Sequence, residues 1–437
     1  MWSAMLLLAL ALLPAACGEE GQVSDTVVLS YGRVSPEHDV VLRELAARFE
    51  AGHPGVRVQL HPLPVHVDFQ RLFYLRSLGG GSRFVDVFEA EAEWVAELAH
   101  GGALVTPPEP PAELAPPLPV RQSVSFRGRM EAVPGHPALS LLYYRTDLLE
   151  KHSVAVPGSL EELAEASARI GQAEGIGGFA WPGVDHEDLT CVFLETYQGM
   201  GGRVRLLERG IFLEGQVVRR ALGFLVTLVD SGASPDWVLG LDAAQARKRF
   251  LAGEVAFLRD WDGFLAQARS DASPRAADVA VAVLPGRKGD GGTSTLGGTH
   301  LAVSRRAFKS PHAERLAEFL ATPESQGLMA ERLGRLPASP DARRPAVWQG
   351  GAGTVLDQAL AVAIPRPATP YYHDLSRIIR EELLAALHHE KSVDAAADKL
   401  VERVRAVPPE REEGGASGLV LPTPVLLFQE EAAWNRR

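Results

Sequence analysis

The sequence predicts an α/β fold that is divided into more than one domain. Segments typical of strands alternate with segments typical of helices, and this order predicts a layer of parallel strands with helices packed on it. The length of 437 residues is more than a single hydrophobic core usually serves, so we expect two or three domains.

The first hundred residues show the alternation most clearly. Short apolar runs indicate strands, apolar side chains at helical spacing indicate helices, and Pro54 and Gly55 end the first helix. In chain order the predicted elements are a strand at 26–31, a helix at 39–50, a strand at 56–60, a helix at 69–77, a strand at 85–88 and a helix at 93–100.

The rest of the chain continues in the same way. Ser159 and Glu162 have the spacing of a capping box at a helix start, and the glycine-rich residues 286–298 predict a loop that approaches a hinge. The predicted strands are 139–144, 255–258, 279–282 and 301–303. The predicted helices are 185–200, 219–231, 242–251, 311–321, 375–388 and 392–404.

Charge and cysteine content exclude some classes of partner. The formal net charge is -11 and there is no long Lys/Arg cluster to neutralise phosphates, so we expect no nucleic-acid partner. The two cysteines, Cys17 and Cys191, do not predict a structural disulfide, because Cys17 ends the N-terminal apolar run. Cys191 lies in an apolar stretch and is predicted to be a small buried side chain.

The N-terminus resembles a bacterial lipoprotein leader. Residues 5–13 are an apolar run too short to span a bilayer, and small residues precede Cys17 as signal peptidases require. The lipobox resemblance implies a signal peptide at 1–17, acylation of Cys17 and a short tether at 18–25. The alternative is an ordinary signal peptide with an incidental cysteine.

Motifs of cofactor and metal enzymes are absent from the sequence. It has no Walker-type phosphate loop, no Gly-x-Ser-x-Gly elbow and no His-Glu-x-x-His zinc helix, so we expect no cofactor, no metal and no catalysis. Carboxylates such as Glu89, Glu91 and Glu93 leave open a glycoside-processing enzyme, whose two carboxyls must lie a fixed distance apart.

An ordered set of segments resembles the extracellular solute-binding proteins that serve sugar importers, most closely the trehalose/maltose-binding branch. The resemblance covers roughly residues 26–405, and residues 141–151, with the sequence LLYYRTDLLEK, are its strongest single signature. The other matching segments are 45–56, 86–88, 94–95, 102–104, 178–181, 250–256, 295–298 and 365–367.

The resemblance implies a two-lobed periplasmic-binding-protein fold with an interlobe ligand cleft and multiple crossover strands. Such a protein closes on its ligand by a hinge motion and needs no covalent chemistry. Carried onto this chain, it implies an N-terminal lobe of 26–135 plus 283–335, a C-terminal lobe of 136–282 plus 336–407, and a flexible tail at 408–437.

The resemblance also implies a set of ligand-binding positions. Sugar sites combine aromatic faces with planar polar side chains. The positions that match those of sugar-binding relatives are Glu37, Arg71, Glu91, Glu187, Trp261 and Arg366. The structural alternatives are a core tryptophan at Trp261, a helix-dipole charge at Glu37 and a clamp between lobes at Arg366.

Several pocket positions depart from those relatives. His136 and Ala138 replace a tyrosine and an aspartate, Gly263 replaces a tyrosine, and Thr299 replaces a tryptophan. We keep His136 and Thr299 as ligand-binding candidates, with an exposed His136 as the alternative. Because each aromatic contact contributes about 0.5–1.5 kcal/mol beyond area burial, a disaccharide held as in the relatives should bind much more weakly.

Together these observations predict a monomeric lipoprotein on the extracytoplasmic face of the cell membrane that captures a carbohydrate for an ABC permease. The first alternative is a surface lipoprotein that kept the fold but binds a non-sugar solute or has lost transport. The second is the glycoside-processing enzyme.

Overall fold

The computed structural model describes most of the chain. Its described residues are 25–80, 85–207, 210–269, 275–309, 311–342 and 344–408. The predicted signal peptide with Cys17, residues 18–24 of the predicted tether and residues 409–437 of the predicted tail lie outside these ranges.

The strands follow one another along the chain with helices between them. In order they are β1 (Asp25–Gly32), β2 (Val56–Leu63), β3 (Val87–Glu91), β4 (Ser125–Phe126), β5 (Arg129–Met130), β6 (Val133–Arg145), β7 (Gly177–Ala180), β8 (Arg205–Leu207), β9 (Gly210–Phe212), β10 (Val255–Trp261), β11 (Val279–Val283), β12 (Ser294–Val303) and β13 (Ala363–Pro365).

The helices cover both faces of the strands. In order they are α1 (Pro36–Gly52), α2 (Val67–Gly80), α3 (Ala92–His100), α4 (Leu118–Ser123), α5 (Thr146–Lys151), α6 (Leu160–Glu174), α7 (Glu187–Gly199), α8 (Gly215–Asp230), α9 (Ala243–Ala252), α10 (Phe264–Ala268), α11 (Pro311–Leu320), α12 (Pro323–Leu333), α13 (Gly351–Val362), α14 (Tyr372–Leu387) and α15 (Val393–Arg405). Short 3-10 helices occur at Ala112–Leu114, Asp236–Gly240, Ala276–Asp278, Arg305–Lys309 and Ala346–Trp348.

Polar side chains fix the starts of several helices. Each of these residues accepts a hydrogen bond from a backbone N–H of the first turn, which satisfies a donor that has no partner inside the helix. They are Ser35, Ser159, Asp242, Thr322 and Ser392. The capping box predicted at Ser159 is only half formed, because Glu162 accepts from the N–H of Gly158 instead of from Ser159.

Every strand and helix predicted from the sequence is present, although some bounds differ: β6 begins at Val133 instead of residue 139, and β3 covers Val87–Glu91 instead of 85–88. The loop predicted over 286–298 is wrong at its end, because β12 begins at Ser294 and runs through Gly297 and Gly298. Two adjacent glycines disfavour a strand by propensity, but pairing with neighbours on both sides overrides that preference here.

The main sheet is mixed and changes character at its centre. The order is β2-β1-β3-β12-β6-β10-β7, with β11 also paired to β6 and β13 to β12. The parallel pairing predicted for the first strands is confirmed, since β1 pairs in parallel with β2 and β3. β6 and β12 run antiparallel to most of their neighbours.

Two strands cross from one lobe to the other. The first half of β6, up to Leu139, pairs with β12, while its second half, from Ser140, pairs with β10 and β11. β12 pairs with β13 through Ser294–Leu296 and with β3 from Thr299 onward. These strands therefore place their middle residues between the two lobes.

Each lobe has its own hydrophobic core. The N-terminal lobe has a cluster on each face of its sheet, one around Val87 and Phe49 and the other around Phe88 and Trp94. The larger core of the C-terminal lobe surrounds β6, β10 and α7 and includes the fully buried Trp181. The two separate cores and the crossing strands are the architecture of a two-lobed periplasmic-binding-protein fold.

None of the helices in the described part of the chain combines the length and apolar character needed to cross a bilayer.

Candidate interlobe binding site

Gly297 lies in the middle of β12, where this strand passes between the lobes and two predicted site residues meet. An ideal Cβ at this position would lie 3.1 Å from Nη2 of Arg366 and 3.2 Å from Cη2 of Trp261. The two side chains therefore pack against the bare glycine backbone, and a larger residue there would displace them. Gly297 forms the floor of the candidate site.

Trp261 is the last residue of β10 and is held by polar contacts. Its indole Nε1 donates to Oδ1 of Asp188 at 2.8 Å, and the guanidinium of Arg259 lies 4.5 Å from the ring centroid. Burial works to raise the pKa of Asp188, but a hydrogen bond from His186 and the charge of Arg259 outweigh it and hold that pKa well below its usual range. Trp261 is partly exposed, unlike the fully buried core tryptophan Trp181.

Arg366 follows β13 and lies between Pro365 and Pro367, which restrict the local backbone. Its Nη2 is 2.6 Å from Oε2 of Glu93, and its Nη1 is 3.2 Å from Oε1 of Glu187. Burial alone would lower the pKa of this guanidinium, but the two carboxylates keep it raised and the side chain charged. Because Glu93 is in α3 and Glu187 in α7, Arg366 connects a helix of each lobe.

Glu187 begins α7 and is surrounded by donors from α14. The hydroxyl of Tyr372 donates to Oε1 at 2.5 Å, and the hydroxyl of Ser376 donates to Oε2 at 2.6 Å. The position at a helix N-terminus further favours a carboxylate. These hydrogen bonds therefore fix the orientation of the Glu187 carboxyl.

Glu91 and Glu93 form a pair of carboxyls at the junction of β3 and α3. Glu91 ends β3 opposite Thr299 of β12, and Glu93 lies two residues later in the first turn of the helix. Burial, followed by the charge of Glu93, raises the pKa of Glu91. Burial also raises the pKa of Glu93, although Arg366 opposes that effect. Both carboxyls therefore keep a proton to a higher pH than an ordinary glutamate does.

Arg71, a predicted ligand contact, is paired within the N-terminal lobe. Its Nε and Nη2 donate to the two carboxylate oxygens of Glu97 at 2.9 and 2.6 Å, a bidentate arrangement between α2 and α3. Both side chains keep some exposure, 13% for Arg71 and 16% for Glu97.

Glu37 lies apart from this group. Its side chain is 42% exposed in the first turn of α1 and accepts a hydrogen bond at 2.7 Å from Nε of Arg332 in α12. The structure therefore joins Glu37 to a neighbouring helix of its own lobe.

His136 points into the N-terminal lobe. It is buried, its Nδ1 lies 3.1 Å from the carbonyl oxygen of Leu336, and its Nε2 lies 3.3 Å from Sδ of Met329. Burial lowers the pKa of His136 to about 3, so the ring is neutral at physiological pH. The alternative of an exposed His136 is wrong, because β6 turns this side chain toward the core.

A small internal cavity, lined mostly by apolar side chains, lies beside His136. It has room for about one water molecule, and its lining includes Tyr31, Glu89, Thr299 and His300. Arg335 donates to Glu89 at 2.7 Å. Thr299 thus lies between this internal cavity and the end of β3, where it faces Glu91 in the ladder.

Sequence reasoning did not assign several residues of the site to ligand binding. Glu93, Asp188, Arg259 and the buried partner of Arg259, Glu195, all contact predicted positions or each other. The only local signal was their proximity in sequence, since Glu93 follows Glu91 and Asp188 follows Glu187 at element ends.

The described residues hold no group of three or more His, Cys, Asp or Glu side chains arranged for a metal ion. Cys191 is buried in α7 with a free thiol, as predicted. What the site offers is an aromatic ring, fixed carboxylates and a shared guanidinium, a set suited to non-covalent binding of a polar solute.

Comparisons with known proteins agree with this architecture. The family model described as "Bacterial extracellular solute-binding protein" matches residues 44–353, more than two thirds of the chain. A protein of Deinococcus radiodurans described as a "Probable ABC transporter-binding protein" is 29% identical over 280 residues. The alignment spans 62% of this chain and 66% of that relative, just under two thirds of its length.

Solved structures share the whole fold. The maltose-bound MalE3 of T. maritima is 29% identical, has a TM-score of 0.76, and matches 87% of this chain and 99% of its own. A solute-binding protein of Thermotoga lettingae, solved with α-D-tagatose, is 20% identical with a TM-score of 0.75 over 87% of this chain and 99% of its own. At that identity the second likeness shows the fold alone. From the family match over most of its length and the two-lobed architecture, the chain belongs to the bacterial extracellular solute-binding protein family.

Proposed function

We propose that this protein is the substrate-binding lipoprotein of an ABC importer and that it captures a carbohydrate by closing its two lobes. The observation that carries the proposal is the meeting of Trp261, Arg366 and Glu187 above Gly297, where strands pass between the lobes. An aromatic face and oriented polar groups suit a sugar ring with its hydroxyls.

Closure requires contacts that both lobes make with the same ligand. Glu91 and Glu93 come from the N-terminal lobe, whereas Glu187 and Trp261 come from the C-terminal lobe. A solute between them gains partners on both sides only in the closed form. Binding of this kind involves no bond breaking, and we propose that the protein has no catalytic activity.

The remaining parts of the proposal concern position in the cell. Acylation at Cys17 would tether the monomer to the extracytoplasmic face of the membrane through residues 18–25, and the closed form would then deliver its solute to the permease subunits. The similarity to a probable ABC transporter-binding protein supports the transport role. The lobe bounds 26–135 plus 283–335 and 136–282 plus 336–407 belong to the same proposal.

The sugar differs from the trehalose and maltose of the resembling branch. His136 is committed to the N-terminal lobe, and Ala138, Gly263 and Thr299 supply no aromatic platform. Trp261 is then the main ring-stacking side chain of the proposed site, with Glu91, Glu187 and Arg366 as its polar partners.

Calorimetric titration with a panel of mono- and oligosaccharides tests this function. At least one sugar should bind, and Trp261→Ala should weaken that binding about tenfold or more, since a stacking contact is lost. Trp237→Ala is the matched control, because Trp237 packs against the C-terminal core under Arg249, away from Gly297. Absence of heat for every sugar, with binding of a different class of metabolite, would refute carbohydrate capture.

A second candidate function is that of a surface lipoprotein with the same fold that binds a non-sugar solute or no longer takes part in transport. The observation in its favour is that Arg366 is buried and already paired with Glu93 and Glu187, so the protein's own side chains satisfy it. A thermal-shift screen of non-sugar metabolites separates the two functions, because a specific ligand at one hundred times its Kd adds about 2.7 kcal/mol of stability.

A further inference from the structure

The charges around Glu91 are unbalanced. The two guanidinium groups that act on it electrostatically belong to Arg335 and Arg366. Arg335 is paired with Glu89 at 2.7 Å, and Arg366 is paired with Glu93 at 2.6 Å and with Glu187 at 3.2 Å. Both cations are therefore already matched by other carboxylates.

Glu91 itself has no partner among the residues that the structure describes. Its carboxylate makes no hydrogen bond and no ion pair with any residue in the described ranges, although Glu89 and Glu93 lie on the same short segment. Burial and the charge of Glu93 raise its pKa, the expected response of a carboxyl surrounded by like charge.

A second polar group at the same place is also unsatisfied. The hydroxyl of Tyr74 is fully buried and has no hydrogen-bond partner within the described residues, yet Glu89 and Glu91 are close enough to raise its pKa further after burial. In the described part of the chain, neither a cation nor this hydroxyl is paired with Glu91. Glu91 is partly exposed, so its carboxyl is accessible to a solute, and a buried polar group without a partner, such as the hydroxyl of Tyr74, calls for an explanation.

These contacts decide which ligand charge the site accepts. An anionic ligand would approach Glu91 and Glu93 while the neighbouring guanidinium groups are occupied, so it is disfavoured. A hydroxyl donates one neutral hydrogen bond, whereas an ammonium donates up to three and cancels a charge. Charge-assisted hydrogen bonds are about twice as strong as neutral ones.

We propose that the interlobe site selects amino sugars, with the ligand ammonium bound to the carboxylate of Glu91 between Trp261 and the Arg366–Glu93 pair. This inference rests on the proposed carbohydrate-binding function and specifies the chemical class of the ligand. Trp261 supplies the ring contact, and Glu91 distinguishes an amine from a hydroxyl.

Matched pairs of sugars test the proposal. Calorimetry at pH 6.5 compares glucose, maltose and cellobiose with the corresponding 2-amino-2-deoxy sugars, and adds glucuronic acid as an anion. An amino sugar should bind about tenfold or more tightly than its neutral partner, and the acid should bind weakest. Binding of a neutral sugar as tight as that of its amino partner overturns the inference and leaves the proposed function intact. Binding of no sugar in the panel overturns both.

Variants locate the preference in one side chain. Glu91→Gln should remove the preference for the amine while neutral sugars still bind, and Glu91→Asp, which keeps the charge, should retain part of it. Glu161→Gln is the matched control, because Glu161 is exposed in the first turn of α6. Circular dichroism and a thermal midpoint verify that each variant is folded. An unchanged preference in folded Glu91→Gln refutes the assignment.

A proton count gives an independent readout. Because Glu91 and Glu93 hold protons more tightly than ordinary carboxyls, a bound ammonium should release part of a proton near neutral pH. Titrations in two buffers of different ionisation enthalpy measure that release. Release in the wild type that persists undiminished in Glu91→Gln would contradict the proposal.

Discussion

Arg366 is a charged side chain that is 5% exposed at the junction of the lobes. A cation at such a position costs desolvation energy, which only its carboxylate partners offset. The contrast with Arg332 is instructive, since Arg332 makes a similar contact with Glu37 at the surface, where both side chains are about 40% exposed. Burial decides how much each pair contributes to the free energy of unfolding.

Arg366→Met should therefore destabilise the protein by about 3–5 kcal/mol, because it leaves Glu93 and Glu187 without their cation. The loss of folding stability should be larger at pH 8 than at pH 5. An unpaired buried carboxyl has a raised pKa, so the folded protein loses stability as the pH rises toward that value. Urea unfolding at both pH values measures the effect.

Arg332→Met is the control, with an expected change below about 1 kcal/mol. Equal losses for the two variants would show that burial does not distinguish these ion pairs.

Asp262 provides a pH-dependent test in the C-terminal lobe. It is 3% exposed, its Oδ1 accepts from the N–H of Leu139 at 2.6 Å, and burial raises its pKa to about 7. The folded state thus holds a proton that the unfolded state releases near pH 4, so its contribution to stability falls as the pH rises toward 7. Between about pH 4 and pH 7, the free energy of unfolding of Asp262→Asn should rise relative to that of the wild type by about 1.4 kcal/mol per pH unit.

The test compares the free energy of unfolding of the variant with that of the wild type at each pH, because the contributions of all other titrating groups are the same in both proteins. Above pH 7 the difference should level off. Asp357→Asn, at a side chain that is 61% exposed, should show a flat difference within about 0.5 kcal/mol. A flat profile for Asp262→Asn would contradict the raised pKa.

At the scale of elements, β12 depends on a glycine for its route between the lobes. Gly298 has φ +102, and an ideal Cβ there would lie 2.1 Å from the carbonyl oxygen of His136 in β6. The register shift between Thr299 and Leu301 follows directly after it. Close approach of two backbones, combined with positive φ, is a condition that only glycine meets.

Gly298→Ala should cost at least about 3 kcal/mol, because backbone strain and a clash with backbone atoms add together. Gly289→Ala is the control, since Gly289 also has positive φ (+90) but has nothing within 4 Å of its Cβ position. Gly289→Ala should be destabilised by about 1 kcal/mol, from backbone strain alone. Thermal unfolding distinguishes the two, and similar losses would rule out the close contact as the cause.

At the scale of the whole molecule, α3 is one of the helices of the N-terminal lobe that contact the C-terminal lobe. Glu93 contacts Arg366, and the ring of His100 at the end of α3 lies 6.4 Å from that of Tyr371 at the start of α14. The hydrophobic clusters of the two lobes are separate, and separate lobe cores are compatible with hinge closure.

Glu93→Gln should therefore loosen the unliganded protein and increase its radius of gyration, since it weakens an ion pair that joins the lobes. Glu97→Gln is the control on the same helix, because Glu97 pairs with Arg71 inside the N-terminal lobe. Small-angle scattering measures both variants with and without ligand. An equal radius for Glu93→Gln and Glu97→Gln would argue against a role of the Arg366 pair in closure.

The sequence by itself determined the order of most strands and helices, the parallel start of the sheet and the family, but it missed α12, α13 and β13. Apolar periodicity sets these features locally, as in residues 39–50, where spacing alone predicts the helix α1. Capping by Ser159 and burial of Cys191 were also predictable, because each depends on a few neighbouring residues.

Only the tertiary structure decided the partners of the charged and polar residues. Arg366 pairs with Glu93 and Glu187 from two distant segments, Glu37 turns to Arg332, and His136 faces Met329. The strand at Gly297 and Gly298 was likewise invisible locally, because pairing with β6 and β13 creates it. Periodicity fixes which face of an element is buried, but the energy of an ion pair depends on which elements are folded against each other.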